Sequence, residues 1–155
     1  MPKLNIGCGR DLLDGYTNAD VCPVEGAEYA NVMDLPYPKN HFDEVLCYSV
    51  LEHVEDPFKA VSELYRVLKK GGIVKGSTPL YHPYHSKHDY WRFTHQGLEL
   101  MFKEFSKIKI TRLDGNFAVM GIFSGPILRP VFEKLDKIKK VGNRSTTTLL
   151  FELVK

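Results

Sequence analysis

The chain has 155 residues, 43% hydrophobic and 26% charged, which fits one domain over residues 1–155 with a sizeable core. Its formal net charge is only +2 and its basic residues are scattered, so no nucleic-acid partner is expected. Three cysteines (Cys8, Cys22 and Cys47) without CxxC spacing argue against a disulfide framework or structural zinc, and for a reducing compartment.

In chain order, Leu4-Asn5-Ile6 reads as a first strand that ends at Gly7. It opens without the basic segment and apolar run of a signal peptide, so the cytoplasm is the expected location. Thr17 to Val21 reads as a second strand, Tyr29 to Val32 as a third, and Phe42 to Tyr48 as a buried fourth. Asp56 is a good N-cap and Pro57 suits the first helical position. Phe58, Val61, Leu64, Tyr65 and Leu68 then recur at helical spacing. Lys69 and Lys70 fit the last turn, and Gly71 supplies a left-handed stop.

Ile73 to Thr78 reads as the next strand. Thr94 caps a helix carrying Leu98, Met101, Phe102 and Phe105, and Ile108 to Leu113 alternates like a strand. The apolar stretch Phe117 to Leu128 is interrupted by Gly121, Ser124, Gly125 and Pro126, and falls short of the ~18 residues of a membrane span. It reads as core packing, with a dimer interface or a greasy substrate site as sharper alternatives. Pro126 and Pro130 break the region before a basic amphipathic helix from Val131 to Lys140. Its Lys134, Lys137, Lys139 and Lys140 form a wet face, and weak membrane-surface contact is the sharper reading. Thr148 to Val154 closes the chain as a strand.

Strands alternating with helices predict an α/β fold: a single Rossmann-like three-layer sandwich. Its sheet is mostly parallel, with an antiparallel C-terminal strand. Gly7 and Gly9 at a strand end let backbone approach a ligand, although a tight turn also uses glycine. Asp20 ends the second strand, where a carboxylate can accept both ribose hydroxyls. Asp34, after the third, can reach an adenine amino group. Both fall at the carboxyl edge of the sheet, where open α/β folds bind ligands.

At these residues the chain resembles the class I S-adenosylmethionine (AdoMet)-dependent methyltransferases, especially the small-molecule type 11 group. The segments LNIGCGR, NADV, NVMDLPYPKNHFDEV, VLEHVEDPFKAVSELYRVLKKGG and HDYWRFTHQGLELMF are similar to that family's motifs, in the right order. The resemblance implies AdoMet as cofactor and S-adenosylhomocysteine as product. Gly7 and Gly9 would pass under the methionine part, with Cys8 giving mainly backbone. Asp20 with its neighbour Val21 would hold the ribose, and Asp34 the adenine amino group, with the Leu35 backbone at the ring edge. Tyr48 and Ser49 would lie near the sulfonium and the acceptor, with Glu52 and His53 at the rim. Asn5 stands where the family usually has an acidic residue, so its contact with the ligand's ammonium is weaker or relayed by water.

Asp20 follows Gly9 by only eleven positions, against about 20 in a dinucleotide fingerprint. The first helix must therefore be stunted, to one turn around Asp11 to Leu13. A pyrophosphate wants free N–H groups at a helix start, whereas AdoMet has no phosphate. A nicotinamide enzyme is accordingly disfavoured.

The stretch Tyr81 to Arg92 after the fifth strand is rich in histidine and aromatic residues. As a lid, it offers His82 and His85, with Tyr48, as catalytic candidates, since histidine can take an acceptor's proton. His53, His85, His88, Tyr90, Trp91 and Arg92 are candidate substrate contacts, with anchoring of the loop an equal reading for the aromatics. Arg92 pairs with a substrate anion or with a local acid. The spacing of His82, His85 and His88 hints at metal, but Pro83 argues against a helix holding them together, and none is expected.

No Asn/Asp-Pro-Pro-Tyr-type motif follows the fourth strand, which disfavours methylation of DNA-base or amide nitrogens. The function expected is O- or N-methylation of a small-molecule acceptor, with a homodimer or larger assembly possible. The rivals are a non-catalytic AdoMet-binding module or assembly subunit, and an α/β protein that has lost the cofactor.

Overall fold

The computed structural model describes residues 1–114, 119–120, 128–138 and 147–155. A seven-stranded sheet forms from β1 (Lys3–Ile6), β2 (Thr17–Asp20), β3 (Glu28–Tyr29), β4 (Phe42–Tyr48), β5 (Leu68–Pro79), β6 (Lys107–Arg112) and β7 (Thr148–Val154). The strand order is β3-β2-β1-β4-β5-β7-β6. Strands β1 to β5 run parallel, and β7 lies antiparallel between β5 and β6. The α/β fold with its antiparallel last strand is as expected, and β4 and β7 have the expected bounds.

Alternation along the strands sends Leu4, Ile6, Val45, Cys47, Val74 and Phe151 into the core. Two helices cover that face: α1 (Pro57–Val67) and α2 (His95–Met101). The ring of Phe102, just past α2, meets Phe151 at 4.9 Å, and Tyr65 of α1 meets Phe105 at 5.2 Å. The opposite face carries charge. Glu44 bridges Lys3 and Lys75 at 3.3 and 3.0 Å. The crossovers β1–β2 and β2–β3 contain only turns, so the expected helical turn at Asp11 to Leu13 is absent and neither crossover adds a helix to a second layer. Their length explains this, since a helical crossover needs about a dozen residues or more.

Both helix caps read from sequence form. Asp56 Oδ1 accepts the Lys59 N–H, and Thr94 Oγ1 accepts the Gly97 N–H. The stripe of α1 is rotated from the expected one: Pro57, Ala60, Val61, Leu64 and Val67 are buried, whereas Phe58 is 59% exposed. The helix also ends earlier. Leu68 pairs with Phe42, and Lys69 binds Asp43 at 2.8 Å, which draws residues 68–72 into β5. Lys69 and Lys70 therefore lie in the sheet. Gly71 keeps its left-handed φ of 78° but donates its N–H to the Lys155 carbonyl.

The third strand stops at Tyr29, because Asn31 accepts the Met33 and Asp34 N–H groups and turns the chain. The last helix, α3 (Arg129–Ile138), starts before the expected Val131 and takes Pro130 into its first turn, where proline costs little. Lys139, Lys140 and most of Phe117 to Leu128 lie outside the described residues. No described helix is long and apolar enough to cross a membrane.

Gly76 sits where β4, β5 and β7 meet. A Cβ there would fall 2.1 Å from the Cys47 carbonyl oxygen and 2.4 Å from the Phe151 ring. Gly76→Ala is expected to lower stability by about 3 kcal/mol, read from denaturant midpoints at unchanged slope.

Candidate functional site

The order β2-β1-β4-β5 reverses direction between β1 and β4, and a crevice outside the strand ends at such a point is where open sheets bind ligands. The first strand delivers Gly7 there, with φ 68°, and Gly9 follows with φ 51°. The Gly7 and Cys8 N–H groups both donate to the Ala19 carbonyl at the end of β2. Gly7 also has a packing role, because a Cβ on it would lie 2.3 Å from Val50 Cγ2. Gly9 differs: a Cβ there would meet nothing within 4 Å, so its surroundings are open.

Asp20 holds this hairpin. One of its carboxylate oxygens accepts the Gly9 N–H at 2.8 Å, and the other accepts the Cys22 N–H at 2.8 Å. Its buried position beside open space leaves each oxygen further lone-pair capacity. Val21, next to it, is exposed.

Asn5 is buried, and its amide protons go to the Asp11 carbonyl (2.9 Å) and Asn18 Oδ1 (3.0 Å). Asn18 in turn accepts the Leu13 N–H. The two asparagines thus replace the missing helix as a staple for the short crossover. With both N–H groups engaged, Asn5 supports the hairpin from below.

Asp34 is exposed at the tip of the turn after β3. Leu35 is buried, and its N–H donates to Glu63 Oε2 at 2.8 Å while its carbonyl accepts from Arg66. The backbone groups expected at a ring edge are therefore committed to α1. Arg66 also reaches the Tyr37 carbonyl and pairs with Glu63 at 2.7 Å, holding that carboxyl below its ordinary value.

Past β4, Tyr48 is half exposed on the charged face of the sheet, beside Lys75, Lys109 and Glu152. Ser49 takes a left-handed φ of 54°, uncommon for serine, and its N–H bonds the Ser77 carbonyl. Glu52 departs from its expected rim position: it is fully buried, and neither carboxylate oxygen has a hydrogen-bond partner. Burial pushes its pKa up to about 7. His53 does sit at the rim, partly exposed.

The histidine-rich loop is tied to this turn. The Tyr90 and Trp91 N–H groups donate to the Glu52 carbonyl, and the indole N–H donates to the Val54 carbonyl. His53 Nδ1 bonds the His88 carbonyl, and the Tyr90 hydroxyl contacts His88 and Glu55. All five N–H groups of Arg92 are engaged, by Asp89 and by the carbonyls of His82, Pro83 and Trp91. That leaves it no donor for a substrate anion, and of its two readings the pairing with a local acid is the one formed. The imidazoles of His53, His85 and His82 follow edge to face, with centroids 4.9 and 4.7 Å apart. Burial raises the thiol pKa values of Cys8 and Cys47, so neither is an activated nucleophile.

Residues 16–75 match the family model described as a methyltransferase domain. A ubiquinone/menaquinone biosynthesis C-methyltransferase of Psychromonas ingrahamii is 43% identical over 67 residues, covering 41% of this chain and 27% of that one. An uncharacterized protein of Methanocaldococcus jannaschii is 32% identical over 141 residues, covering 81% and 60%. A SAM-dependent methyltransferase structure from Archaeoglobus fulgidus superposes with a TM-score of 0.67 at 15% identity, over 99% of this chain and 86% of that one. In the matched segment and in its fold, the chain is similar to class I AdoMet-dependent methyltransferases. It spans 27% and 60% of the length of the two curated relatives.

Sequence reading missed the Glu63–Arg66 clamp and the burial of Glu52. The first had a faint signal, an acid and a base three apart on α1. The second had none, because a Glu-His pair after a strand reads as solvated.

Glu52 gives the site a pH signature. The folded protein holds its proton more tightly than the unfolded chain does, so stability falls as pH rises from about 4.5 to about 7. The loss is on the order of 3 kcal/mol. Chemical denaturation of chelator-treated protein across that window is expected to show the decline, with Glu52→Gln flattening it.

Proposed function

We propose that the protein is an AdoMet-dependent methyltransferase acting on a small-molecule acceptor. The observation that carries this reading is the Gly7–Gly9 hairpin beside open space at the sheet's switch point, gripped by the buried carboxylate of Asp20. The donor set fits the cofactor. Positive-φ glycines admit a close amino-acid moiety, Asp20 offers lone pairs to two ribose hydroxyls, and exposed Asp34 can accept from an adenine amino group. Cys8 and Val21 border the same hairpin and strand end. The absence of a helix after Gly9 leaves no ready phosphate site, which favours this cofactor over a dinucleotide.

When bound, AdoMet supplies an activated methyl carbon. The protein's share is to align donor and acceptor and to exclude water. We assign Ser49, held by Ser77, and the anchored Tyr81 to Arg92 loop to the acceptor side. His82 and His85 are the candidate groups to take a proton from an oxygen or nitrogen acceptor. The Psychromonas relative is a C-methyltransferase, which adds carbon to the acceptor atoms to be tried. A non-catalytic AdoMet-binding module is the second reading, favoured by one observation: Asn5 spends its protons on the chain and offers no acid to the ligand's ammonium.

Calorimetry is expected to give micromolar binding of AdoMet and S-adenosylhomocysteine. Asp34→Ala and Asp20→Asn should each weaken it about tenfold or more, the loss of one charged hydrogen bond. Asparagine at 20 keeps one oxygen acceptor and so tests the ligand contact more cleanly than alanine. Unchanged binding in both variants would remove the assignment. Labelled-methyl transfer to phenol, amine and quinol acceptors then separates enzyme from binding module.

A further inference from the structure

We propose that Glu52, His53 and His85 form a binding site for one divalent transition cation of the zinc type. One carboxylate oxygen of Glu52 and one ring nitrogen of each histidine lie within 4.8 Å of one another. Glu52 and His53 come from the turn after β4 and His85 from the loop after β5, so the tertiary fold brings the donors together. His82 and His88 are not part of the set, which is why their spacing, interrupted by Pro83, misdirects a reading from sequence.

Three further observations point to a ligand here. Glu52 is 0% exposed, and both its oxygens are unpartnered. A carboxylate is costly to bury in that state, and a cation is one of the few groups that offset the cost. Its Oε1 faces His53 Nε2 at 3.9 Å, too long for a hydrogen bond between them.

The tautomer of His53 is also set. Its Nδ1 contacts the His88 carbonyl, which can only accept, so Nδ1 carries the proton and a neutral ring turns its Nε2 lone pair toward Glu52. His85 is oriented in a related way. Its Nδ1 lies 3.2 Å from Asp89 Oδ2 and 3.3 Å from the Pro83 carbonyl, both acceptors, which leaves Nε2 as its donor to a metal. Asp89 is itself buried and fixed by Arg92, whose guanidinium holds its carboxyl far below the ordinary range. A carboxylate behind a histidine is the outer support that metal-binding imidazoles ordinarily have.

The donor chemistry selects the ion. Two imidazoles and one carboxylate suit zinc and its first-row neighbours rather than calcium or magnesium, which prefer all-oxygen shells. Bond lengths near 2.0–2.1 Å place tetrahedral ligands about 3.4 Å apart, so the three side chains draw in by about an ångström when the ion enters. Three protein ligands leave open a position for water or an oxygen ligand.

The test uses tag-free full-length protein, stripped with chelator and titrated with zinc and separately with cobalt(II). The expected result is one equivalent bound, with cobalt d–d bands and no thiolate charge-transfer band. His53→Ala and His85→Ala should each cost at least the ten- to hundredfold typical of losing an outer partner, about what Asp89→Asn is expected to cost. His95→Ala, on α2 away from the cluster, should bind as the parent does. The two histidine variants alter partly or fully exposed side chains, so far-UV circular dichroism is expected to stay native even if Glu52→Gln perturbs the core. No uptake by the parent, or uptake that survives both His53→Ala and His85→Ala, would overturn the proposal. Neither result bears on AdoMet binding, which is measured separately.

Discussion

The carboxylate of Asp20 joins the turn after β1 to the turn after β2, accepting the Gly9 N–H on one oxygen and the Cys22 N–H on the other. Charge-assisted bonds to backbone N–H are about twice as strong as neutral ones, and these are partly buried. They hold open a hairpin whose two glycines have left-handed backbone. Without that clamp, a crossover with no helix would have little to keep its first turn at the sheet edge. The rest of the candidate site is arranged around this constraint: Asn5 and Asn18 brace it from below, and Val50 closes against Gly7 from the side.

Two further devices fix the loops around it. Glu63 and Arg66 reach from α1 to the backbone of Leu35 and Tyr37, positioning the exposed carboxylate of Asp34. On the other side, the Glu52 and Val54 carbonyls fasten the aromatic loop to the turn after β4, and the Arg92–Asp89 pair closes the loop on itself. That fastening fixes Tyr90 and Trp91 against the turn. It also brings three imidazoles into one row beside a buried, unpartnered carboxyl.

Much of the architecture was legible because it rests on local chemistry. Apolar runs marked β4 and β7, Asp56 and Thr94 marked helix starts, and the glycines with Asp20 and Asp34 marked the sheet edge. What escaped was tertiary. The stripe of α1 shifted because Ala60 and Val67 face the sheet where Phe58 does not. Gly71 was read as a helix stop, yet its left-handed backbone serves a bend in β5. Leu35 was read as a backbone contact at the adenine edge, and Arg92 as the partner of a substrate anion or of a local acid; their polar groups are used by partners 28 and 3 residues away. Glu52 looked like a surface acid because nothing in its neighbours announces burial. Apart from the local Arg92–Asp89 pair, packing and partners distant in sequence decided these outcomes, and single-residue patterns carry no record of them.

The central claim is that the hairpin clamped by Asp20 is a site for a nucleoside joined to an amino acid. Amide chemical-shift mapping with S-adenosylhomocysteine addresses it residue by residue. The largest shifts are expected at Gly7, Cys8, Gly9 and Cys22, with a second group at Asp34 and its neighbours. Shifts confined to Lys75, Lys109 and Glu152 on the charged face, with the hairpin amides unmoved, would contradict it.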